Sequence, residues 1–595
     1  MNAATFNHQR LLQHYERIAD APDAIARLRR FILDLAVRGK LVPQDANDEP
    51  ASELIKRIGR EKVRLVKAGE IRDKPLLPAV ANADMPFPIP LKWEWVRFAT
   101  IADFSAGRTP SRNDTSFWNN GDHAWVSIAD MEDGQVLAAT KETVTDKARE
   151  RVFGSEPEAP GTILMSFKLT IGKIARLGVP AFHNEAIISI RPHLAELDVY
   201  LFKVLPQFAR QGDTKGAIKG ATLNRDSISN ILFPLPPLAE QHRIVAKVDE
   251  LMGLCDRLEA ARVGREAVRD RLAAASLARL NAPDPETFQE DARFALDALP
   301  ALTTRPDQIK RLRQTILNLA VRGKLVPQDP NDEPASELLK LIEREKGRTR
   351  HPVAGISLGD EPFKLPETWK WTALDQLIVS GPQNGISPKP TNREDAPKAI
   401  TLTATTSGSF NPAYFKHVEA SIPRDSEFWL SDGDLLFQRG NTREYVGMAA
   451  VYRGPAHAFL FPDLIMKVRV SAHICLEFAH LASISPPSRE FLSTNASGAQ
   501  ATMPKINQTT LVSLPTPLPP LAEQHRIVAK VDAVMALFDR LEASLNQTAT
   551  TRRRLLDALL AEALAPVDAR DTLVDASPDA KPVPTFAGDV SEAAE

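Results

Sequence analysis

Residues 36–62 read AVRGKLVPQDANDEPASELIKRIGREK, and residues 320–346 read AVRGKLVPQDPNDEPASELLKLIEREK, with four differences in 27 positions. Residues 235–260 and 518–543 likewise share LPPLAEQHRIVAKVD and differ at four of 26 positions. The offsets are 284 and 283, while the sequence between these blocks has diverged almost completely. Two blocks that keep one offset indicate tandem duplication of a whole unit. Function is therefore to be sought in the divergent segments.

The composition is that of a globular protein with several domains. Its 595 residues predict about three to five domains, and 43% hydrophobic with 25% charged residues is ordinary for such proteins. The formal net charge of −2 argues against bulk polyanion binding. No apolar run approaches the ~20 residues that span a bilayer, and the first residues lack the order of a secretory signal. We expect a cytoplasmic protein with no membrane contact.

Cysteine and histidine positions give no indication of metal or thiol chemistry. Cys255 stands at the repeat position that Phe538 occupies, so we interpret it as a small buried hydrophobic residue. The 12 histidines show no cluster at ligand spacing, and His242 and His525 are equivalent positions of the repeat. The sequence therefore predicts no metal site.

Helices are predicted at both ends of each unit. Apolar residues spaced by three or four positions indicate one helix before Gly39 and an equivalent helix before Gly323. A longer stripe after each LPPLAEQ has spacings of four, three, four and three, typical of a coiled-coil seam. Its members are Ile244, Val248, Leu251, Cys255 and Leu258, and Ile527, Val531, Val534, Phe538 and Leu541. Twenty-six helical residues extend roughly 40 Å, slightly more than one turn of B-DNA.

The fold class follows from this arrangement. We expect the two long helices to be antiparallel and to separate two variable α/β (mixed α+β) domains around a pseudo-twofold axis. Trp93 and Trp95, matched by Trp369 and Trp371, mark the first strand of each variable domain and are interpreted as core aromatics. The expected divisions are an N-terminal helical region 1–84, a variable domain 85–235, a central helical region 236–363, a variable domain 364–518, a helix 519–565 and a disordered tail 566–595.

Catalytic signatures are missing from the sequence. There is no phosphate-binding loop, no dinucleotide-binding turn, no zinc-protease motif and no nucleophile elbow. Residues 411–414, NPAY, are similar to the NPPY motif of amino-methyltransferases, but alanine replaces the second proline and no glycine-rich cofactor-binding turn precedes them. We interpret NPAY as a loop and predict a non-catalytic chain.

Side chains suited to DNA recognition cluster in four stretches of the variable domains. Residues 164–225 carry nine Lys and Arg against four Asp and Glu, whereas residues 92–163 carry eight against twelve. The stretches are LMSFKLTIGKIAR at 164–176, KGAIKGATLNRD at 215–226, GDLLFQRGNTREYVG at 433–447 and SGAQATMPKIN at 497–507. Arg, Lys, Asn and Gln form two-pronged hydrogen bonds with base edges, although solvated loops have the same composition.

Two alternatives to DNA reading stay open on the residues alone. A self-contained methyltransferase that uses NPAY would bind S-adenosylmethionine in the isolated chain. A scaffold whose tandem domains grip proteins would show no salt-dependent association with DNA.

The repeated blocks, GRTPSR at 107–112, LMSFKLTIGKIA and GDLLFQRGNTREYVG closely resemble specificity subunits of type I restriction-modification systems. The resemblance covers nearly the whole chain apart from the tail. It implies two target-recognition domains, 85–235 and 364–518, each reading one half of a split, asymmetric site in double-stranded DNA, with helices that set the spacer. In the first domain this chain has SFKLTIG, whereas members of the family often have a glycine before the threonine. The base sequence that a relative reads therefore cannot be assigned to this domain.

The resemblance also implies partners and cofactors. Two modification subunits would dock on the helical parts, bind S-adenosylmethionine and methylate adenine. Two restriction subunits, in systems that have them, would add translocation and cleavage driven by ATP and Mg²⁺. No cofactor and no catalytic residue is expected in this chain itself.

On this resemblance we assign DNA-binding side chains to each half-site. For the first they are Arg108, Thr109, Arg112, Ser166, Lys168, Thr170, Lys173, Lys219, Thr222 and Asn224. For the second they are Gln438, Arg439, Asn441, Arg443, Gln500, Thr502 and Lys505. Some of these residues are expected to be phosphate clamps or structural turns instead of base readers.

Overall fold

The computed structural model describes residues 20–21, 23–73, 77–168, 170–209, 215–217, 220–222, 224–284, 286–346, 361–497 and 503–564, with the side chains at 119–120, 215–217, 220–222 and 300–301 left out. The chain divides into unit 1, Met1–Val263 with Ala549–Glu595, and unit 2, Gly264–Thr548. Each unit is a mixed α/β body with part of both long helices. The predicted fold class is confirmed, and the predicted tail 566–595 lies outside the described residues.

Unit 1 holds the first variable domain. Strand Glu94–Arg97 pairs antiparallel with Leu232–Leu235, which brings the two ends of the domain together. A five-stranded sheet has the order Ala102–Ala106, Ile187–Pro192, Ile163–Ser166, Ile174–Leu177 and Gln135–Leu137, and a three-stranded sheet has the order Glu142–Val144, Trp118–Val126 and Ala181–His183. Its shorter elements are helices Ala24–Val37, Ala51–Lys67, Phe98–Ile101, Asp146–Ala148, Asp198–Ala209 and Arg225–Ser229, and the hairpin Lys215–Ala217 with Gly220–Thr222.

Unit 2 repeats this plan with a smaller main sheet. Strand Lys370–Ala373 pairs antiparallel with Pro515–Leu518. A four-stranded sheet has the order Ile378–Asn384, Ile465–Val470, Leu435–Gln438 and Ala449–Val451, and Lys398–Ile400 pairs with Phe415–His417. Its shorter helices are Phe288–Asp297, Leu299–Leu302, Pro306–Val321, Ala335–Lys346, Leu374–Leu377, Leu476–Ile484, Pro486–Thr494 and Gln508–Val512. In both units an apolar run, ILM or LLF, forms a strand buried along its whole length.

The two long helices, Leu238–Asn281 and Leu521–Leu564, each contain 44 residues and extend about 66 Å. Both exceed the 26 residues of the repeated stripe, and the second lies within the range 519–565 that was expected for it. In unit 1, Ile244, Val248 and Cys255 of the stripe are buried in the main core, whereas the Leu258 side chain is 41% exposed. The stripe therefore packs mainly onto the body of its own unit.

In unit 1 the short helix Ala24–Val37 fixes the directions of both long helices. Arg29 pairs with Asp256 at 2.6 Å, and Arg262 donates to the Ala21 carbonyl at 3.5 Å, so the first long helix runs antiparallel to the short helix. Lys40 donates to the Leu564 carbonyl at 2.9 Å. Arg553 meets Asp23 at 3.4 Å, so the second long helix runs parallel to the short helix. The two long helices are therefore antiparallel to each other in this unit, as expected.

In unit 2 a short helix also packs against both long helices, but here it runs parallel to the first long helix and antiparallel to the second. Arg305 pairs with Glu266 at 2.7 Å, and Asn318 donates to the Asn281 carbonyl at 2.8 Å, so Pro306–Val321 runs parallel to the first long helix. Its contacts with the second long helix run in the opposite direction, since Ile309 shares a core with Leu541 and Ala320 shares one with Ile527.

The repeated loop at 43–50 is tied to the start of the first long helix by two carboxylates. Glu240 accepts from the Trp93 indole at 2.9 Å and from the Gln44 amide at 2.5 Å. Arg243 forms two hydrogen bonds with Asp48, of 3.2 and 2.6 Å. Burial raises the pKa of Glu240, whereas the Arg243 guanidinium lowers the pKa of Asp48.

The second copy of this junction is nearly identical. Trp369 donates to Glu523 at 2.8 Å, Gln328 donates to the same carboxylate at 2.6 Å, and Arg526 pairs with Asp332 at 2.6 Å. Trp93, Trp95 and Trp369 are buried, which confirms them as core aromatics, and Trp371 is half-buried.

Candidate nucleic-acid interface

The loop at 107–112 leaves the end of strand Ala102–Ala106. A Cβ at Gly107 would lie 1.9 Å from the His183 carbonyl oxygen, so only glycine permits this close approach. The Arg108 amide donates to the same carbonyl at 2.9 Å, and its exposed guanidinium donates to the Val152 carbonyl at 2.5 Å. Thr109 donates its hydroxyl hydrogen to Glu185. These contacts fix the loop against the 183–187 turn.

The exposed Arg112 side chain is engaged by residues of its own domain. Its guanidinium makes two hydrogen bonds to Glu142, of 2.5 and 3.0 Å, and lies 3.9 Å from the centre of the Trp118 ring. The hydrogen bond with Glu142 raises the pKa of Arg112. A guanidinium held in this way supports the loop, so a direct contact with DNA would require it to leave Glu142.

The turn at 166–173 contains the second predicted group. Ser166 is completely buried, accepts from the Lys173 amide at 3.0 Å and donates to the Thr170 carbonyl. Its hydroxyl therefore holds the turn and cannot reach DNA in this conformation. Thr170 is exposed, Lys168 lies with its ammonium 5.2 Å from the Phe167 ring, and Lys173 donates to the Ile128 carbonyl at 3.2 Å.

The structure brings these two segments together. Phe167 donates its amide hydrogen to the Ala186 carbonyl at 2.9 Å, while the 107–112 loop contacts His183 and Glu185 of the same turn. The remaining predicted residues of this domain lie elsewhere in the sequence. Lys219 lies outside the described residues, Thr222 is in a strand whose backbone pairs with Lys215, and Asn224 caps helix Arg225–Ser229 by accepting from the Ser227 amide at 2.7 Å.

In the second domain the buried side chain of Gln438 links several segments through hydrogen bonds. Its amide group donates to the Leu402 carbonyl at 2.9 Å and to the hydroxyls of Thr405 and Thr406 at 3.0 and 3.1 Å. Its amide oxygen accepts from Asn441 at 2.6 Å. Gln438 is completely buried and both ends of its amide group are bonded within the protein, so its side chain holds the loop in this structure.

Residues 438–447, the recognition loop of the second domain, converge with the 503–507 segment. The Arg439 carbonyl accepts from the Ile506 amide at 2.8 Å, and the Asn441 amide donates to the Pro504 carbonyl at 3.3 Å. Gly440 forms a bridge with Lys505. Two stretches some 60 residues apart in sequence thus form one surface.

This surface carries cations without acidic partners. Arg443 and Lys505 are exposed and Arg439 is half-buried, and their side chains make no hydrogen bond or ion pair with any residue that the structure describes. Gln500 and Thr502 lie outside the described residues. Unpaired cations on a loop are the groups that phosphate oxygens and guanine edges accept.

Sequence reasoning missed one matching pair in the second domain. Gly385 donates to the Ile465 carbonyl at 3.2 Å, a Cβ on it would lie 2.0 Å from the Phe461 carbonyl oxygen, and Ser387 donates to Asp463. These contacts reproduce those of Gly107, Thr109 and Glu185 at a constant offset of 278. The pattern G-x-[ST]-P in GRTP and GISP was the signal that could have revealed this.

NPAY forms an exposed turn. The Asn411 amide oxygen accepts from the Ala413 amide at 3.0 Å, and Tyr414 is 47% exposed. The described ranges contain no cluster of His, Cys, Asp or Glu suited to a metal ion, and among them no helix is long and apolar enough to cross a membrane.

The geometry defines a class of protein with two homologous α/β domains, each presenting converging polar loops. Comparison with known families gives the family itself. The model described as the type I restriction modification DNA specificity domain matches residues 90–263 and 366–551. The chain therefore belongs to the family of type I restriction enzyme specificity subunits, and the sequence-based identification is confirmed.

Individual relatives cover almost the whole chain. The specificity subunit of the type I restriction enzyme EcoEI from Escherichia coli is 32% identical over 91% of this chain and 94% of its own length. The EcoAI specificity subunit from the same organism is 30% identical over 90% and 93%. A chain from a solved structure of a type I restriction-modification system is 18% identical over 80% and 99%, with a TM-score of 0.47.

Proposed function

We propose that this chain gives a type I restriction-modification complex its DNA sequence specificity, with each variable domain binding one half of a bipartite, asymmetric site. One observation carries the proposal. Each DNA specificity domain match covers a variable domain with its own polar loops, while the repeated blocks at 36–62 and 320–346 and at 235–260 and 518–543 are nearly identical. Two different readers on one repeated frame suit a site with two unlike halves.

The predicted site residues divide into DNA contacts and residues that position the loops. Arg108, Thr109, Lys168, Thr170 and Lys173 contact the first half-site. Arg439, Asn441, Arg443 and Lys505 contact the second, and we keep Lys219, Thr222, Gln500 and Thr502 as contacts on sequence grounds. Ser166 and Gln438 position these loops because they are completely buried, Arg112 because Glu142 holds its guanidinium by two hydrogen bonds, and Asn224 because it caps a helix. Ser387 joins the second half-site as the counterpart of Thr109.

The chain itself is non-catalytic in this proposal. Two modification subunits with S-adenosylmethionine methylate adenine, and two restriction subunits, in systems that have them, use ATP and Mg²⁺ to cleave. The modification subunits dock on the repeated helices and loops, because two copies of one partner need two copies of one surface. The complex works in the cytoplasm, where it meets the chromosome.

Single-molecule methylation sequencing tests the proposal. DNA is taken from cells that carry this chain with its modification subunits, and from cells that carry the modification subunits alone. We expect one methylated motif with two specified halves and an unspecified spacer, present only with this chain. A single undivided motif, or the same motif without this chain, would refute the proposal. Calorimetry with S-adenosylmethionine and the isolated chain should show no binding.

A further inference from the structure

Arg489 lies on helix Pro486–Thr494, which packs beside the recognition loop of the second domain. Its guanidinium donates to the Val446 carbonyl at 2.7 Å and to the Glu444 carbonyl at 2.9 Å. Ser493, one turn further along the helix, donates to the Arg443 carbonyl at 3.4 Å. The helix thus holds three successive parts of the loop backbone immediately after Arg439 and Asn441.

The guanidinium of Arg489 makes no ion pair with any described residue. Its hydrogen bonds go only to main-chain carbonyls, and burial lowers its pKa to about 10. Burying a cation without a carboxylate partner costs folding free energy. We therefore expect the Arg489 guanidinium to have a functional role. The two main-chain carbonyls accept hydrogen bonds from the guanidinium without cancelling its charge. Arg489 therefore fixes the loop at Glu444 and Val446 and keeps a positive charge beside this part of the loop.

The loop is then held at two points. Gln438 fixes its base from the sheet side through Asn441, and the Gly447 amide closes the loop on the Gln438 carbonyl at 2.7 Å. Arg489 fixes the opposite arm at Glu444 and Val446. Arg439 and Arg443 lie between these anchors, and their side chains make no bond to a described residue. A two-pronged base contact needs such a fixed backbone, because small displacements remove one of its hydrogen bonds.

We infer that Arg489 is a positioning residue for sequence reading, which sets the specificity of the second half-site without touching the bases. The first domain achieves the equivalent fixation differently, through the buried Ser166 hydroxyl inside a shorter turn. The inference rests on the proposed function, since it assumes that the recognition loop reads DNA. It adds a residue that lies outside all four stretches singled out in the sequence.

The test uses the complete modification complex in cells, with single-molecule methylation sequencing as the readout. Arg489→Lys keeps the charge but loses the fork of donors, and Arg489→Met removes both. Arg453→Lys is the matched control, because Arg453 belongs to the same domain but is exposed and paired with Asp432 and Glu477. The melting temperature of each purified full-length chain is measured alongside.

We expect both Arg489 variants to methylate sites with one wrong base in the second half-site about tenfold more, relative to the correct site, than the wild type does. The first half-site and the Arg453→Lys motif should be unchanged. If Arg489→Met fails to fold, Arg489→Lys alone carries the test. An unchanged motif in folded variants, equal loosening of both half-sites, or complete loss of methylation by folded Arg489→Lys would overturn the inference. Failure of the proposed function is distinct, because the wild type would then show no bipartite motif.

Discussion

The Trp93 indole donates a hydrogen bond of 2.9 Å to Glu240, the third residue of the first long helix. The bond gives a buried carboxylate a donor and fastens the first strand of the variable domain to the helix. Its repetition as Trp369 with Glu523 at 2.8 Å shows that the duplicated frame keeps polar contacts as well as apolar ones.

Removing this donor should cost more than removing a similar indole that has none. Trp95, also buried, has an indole N–H without a hydrogen-bond partner in the described part of the chain. We expect Trp93→Phe to lower the free energy of unfolding by about 1–3 kcal/mol more than Trp95→Phe does. Urea unfolding of the full chain measures both. Equal losses would show that ring volume, and not the hydrogen bond, determines the cost.

The buried glutamates of the two junctions should make stability depend on pH. Burial raises the pKa of Glu240 and Glu523, so their contribution to stability is full below the ordinary value of 4.5 and is lost as the pH rises through the higher folded values. We expect the wild type to gain stability relative to the double variant Glu240→Gln, Glu523→Gln as the pH falls from 7 to 4.5. A difference in unfolding midpoint that is constant over this range would contradict the assignment.

Asp48 acts in the other direction. Its hydrogen bonds with Arg243 lower the pKa of Asp48, so its contribution to stability is present above the ordinary value of 3.8 and is lost as the pH falls through the lower folded value. Asp48→Asn should destabilise the chain at pH 7 by about 1–3 kcal/mol, and the difference from the wild type should shrink only below pH 4. Acid titration of unfolding checks this.

Arg439→Ala should relax one half-site. The side chain has no partner among the described residues, so folding should be unaffected, while a two-pronged base contact is worth about 1–3 kcal/mol. Competition binding by the assembled complex compares DNA with either half-site altered. Uniform weakening on all DNA, with a smaller salt dependence, would make Arg439 a phosphate contact instead.

Gln438→Leu, at the position before Arg439, should lower the stability of the chain, which Arg439→Ala should leave unchanged. The apolar side chain leaves the Leu402 carbonyl and the Asn441 amide without their partner, so we expect a loss of about 2–3 kcal/mol in the free energy of unfolding. Denaturant unfolding of the full chain measures this beside Arg439→Ala. A Gln438→Leu chain as stable as wild type would show that the buried network contributes nothing.

Lengthening both long helices should lengthen the spacer. Because the helices are antiparallel within each unit, a heptad is inserted in each, after Val263 and after Thr548, where one unit gives way to the other. Seven residues add about 10 Å, or about three base pairs. Methylation sequencing should show the same two half-sites with a longer gap. An unchanged gap would disprove the role of the helices in spacing.

Periodicity revealed the frame better than the site. Apolar stripes predicted the helices and their repetition, because burial on one face imposes a spacing. The long helices continue past Leu258 and Leu541 through polar and Arg-rich sequence that lacks this stripe, and apolar residues at spacings of three and four return only near the helix ends. The C-terminal part of each long helix is held by residues such as Leu277 or Leu556, which share apolar clusters with helices distant in sequence.

Polar residues at strand ends are the predicted site residues whose burial the sequence did not reveal. Ser166 and Gln438 each end a strand that is buried along its whole length, so their polar groups point into protein and are bonded there. In sequence they stand beside Lys or Arg and look like members of a solvated loop. Only the tertiary partners, such as Leu402 and Thr405 for Gln438, distinguish a loop anchor from a base reader.

The packing of Ala24–Val37 against the far end of the second long helix sets an order of events during synthesis. Phe31 and Leu35 share a core with Leu556, Leu559 and Leu560, which are translated about 520 residues later. At about 5–20 residues per second the ribosome needs roughly half a minute to two minutes to reach them. During that interval the face of Ala24–Val37 that packs against Leu556, Leu559 and Leu560 lacks these partners, and a chain released early never gains them. Unit 1 can therefore be completed only after translation has reached the end of the second long helix.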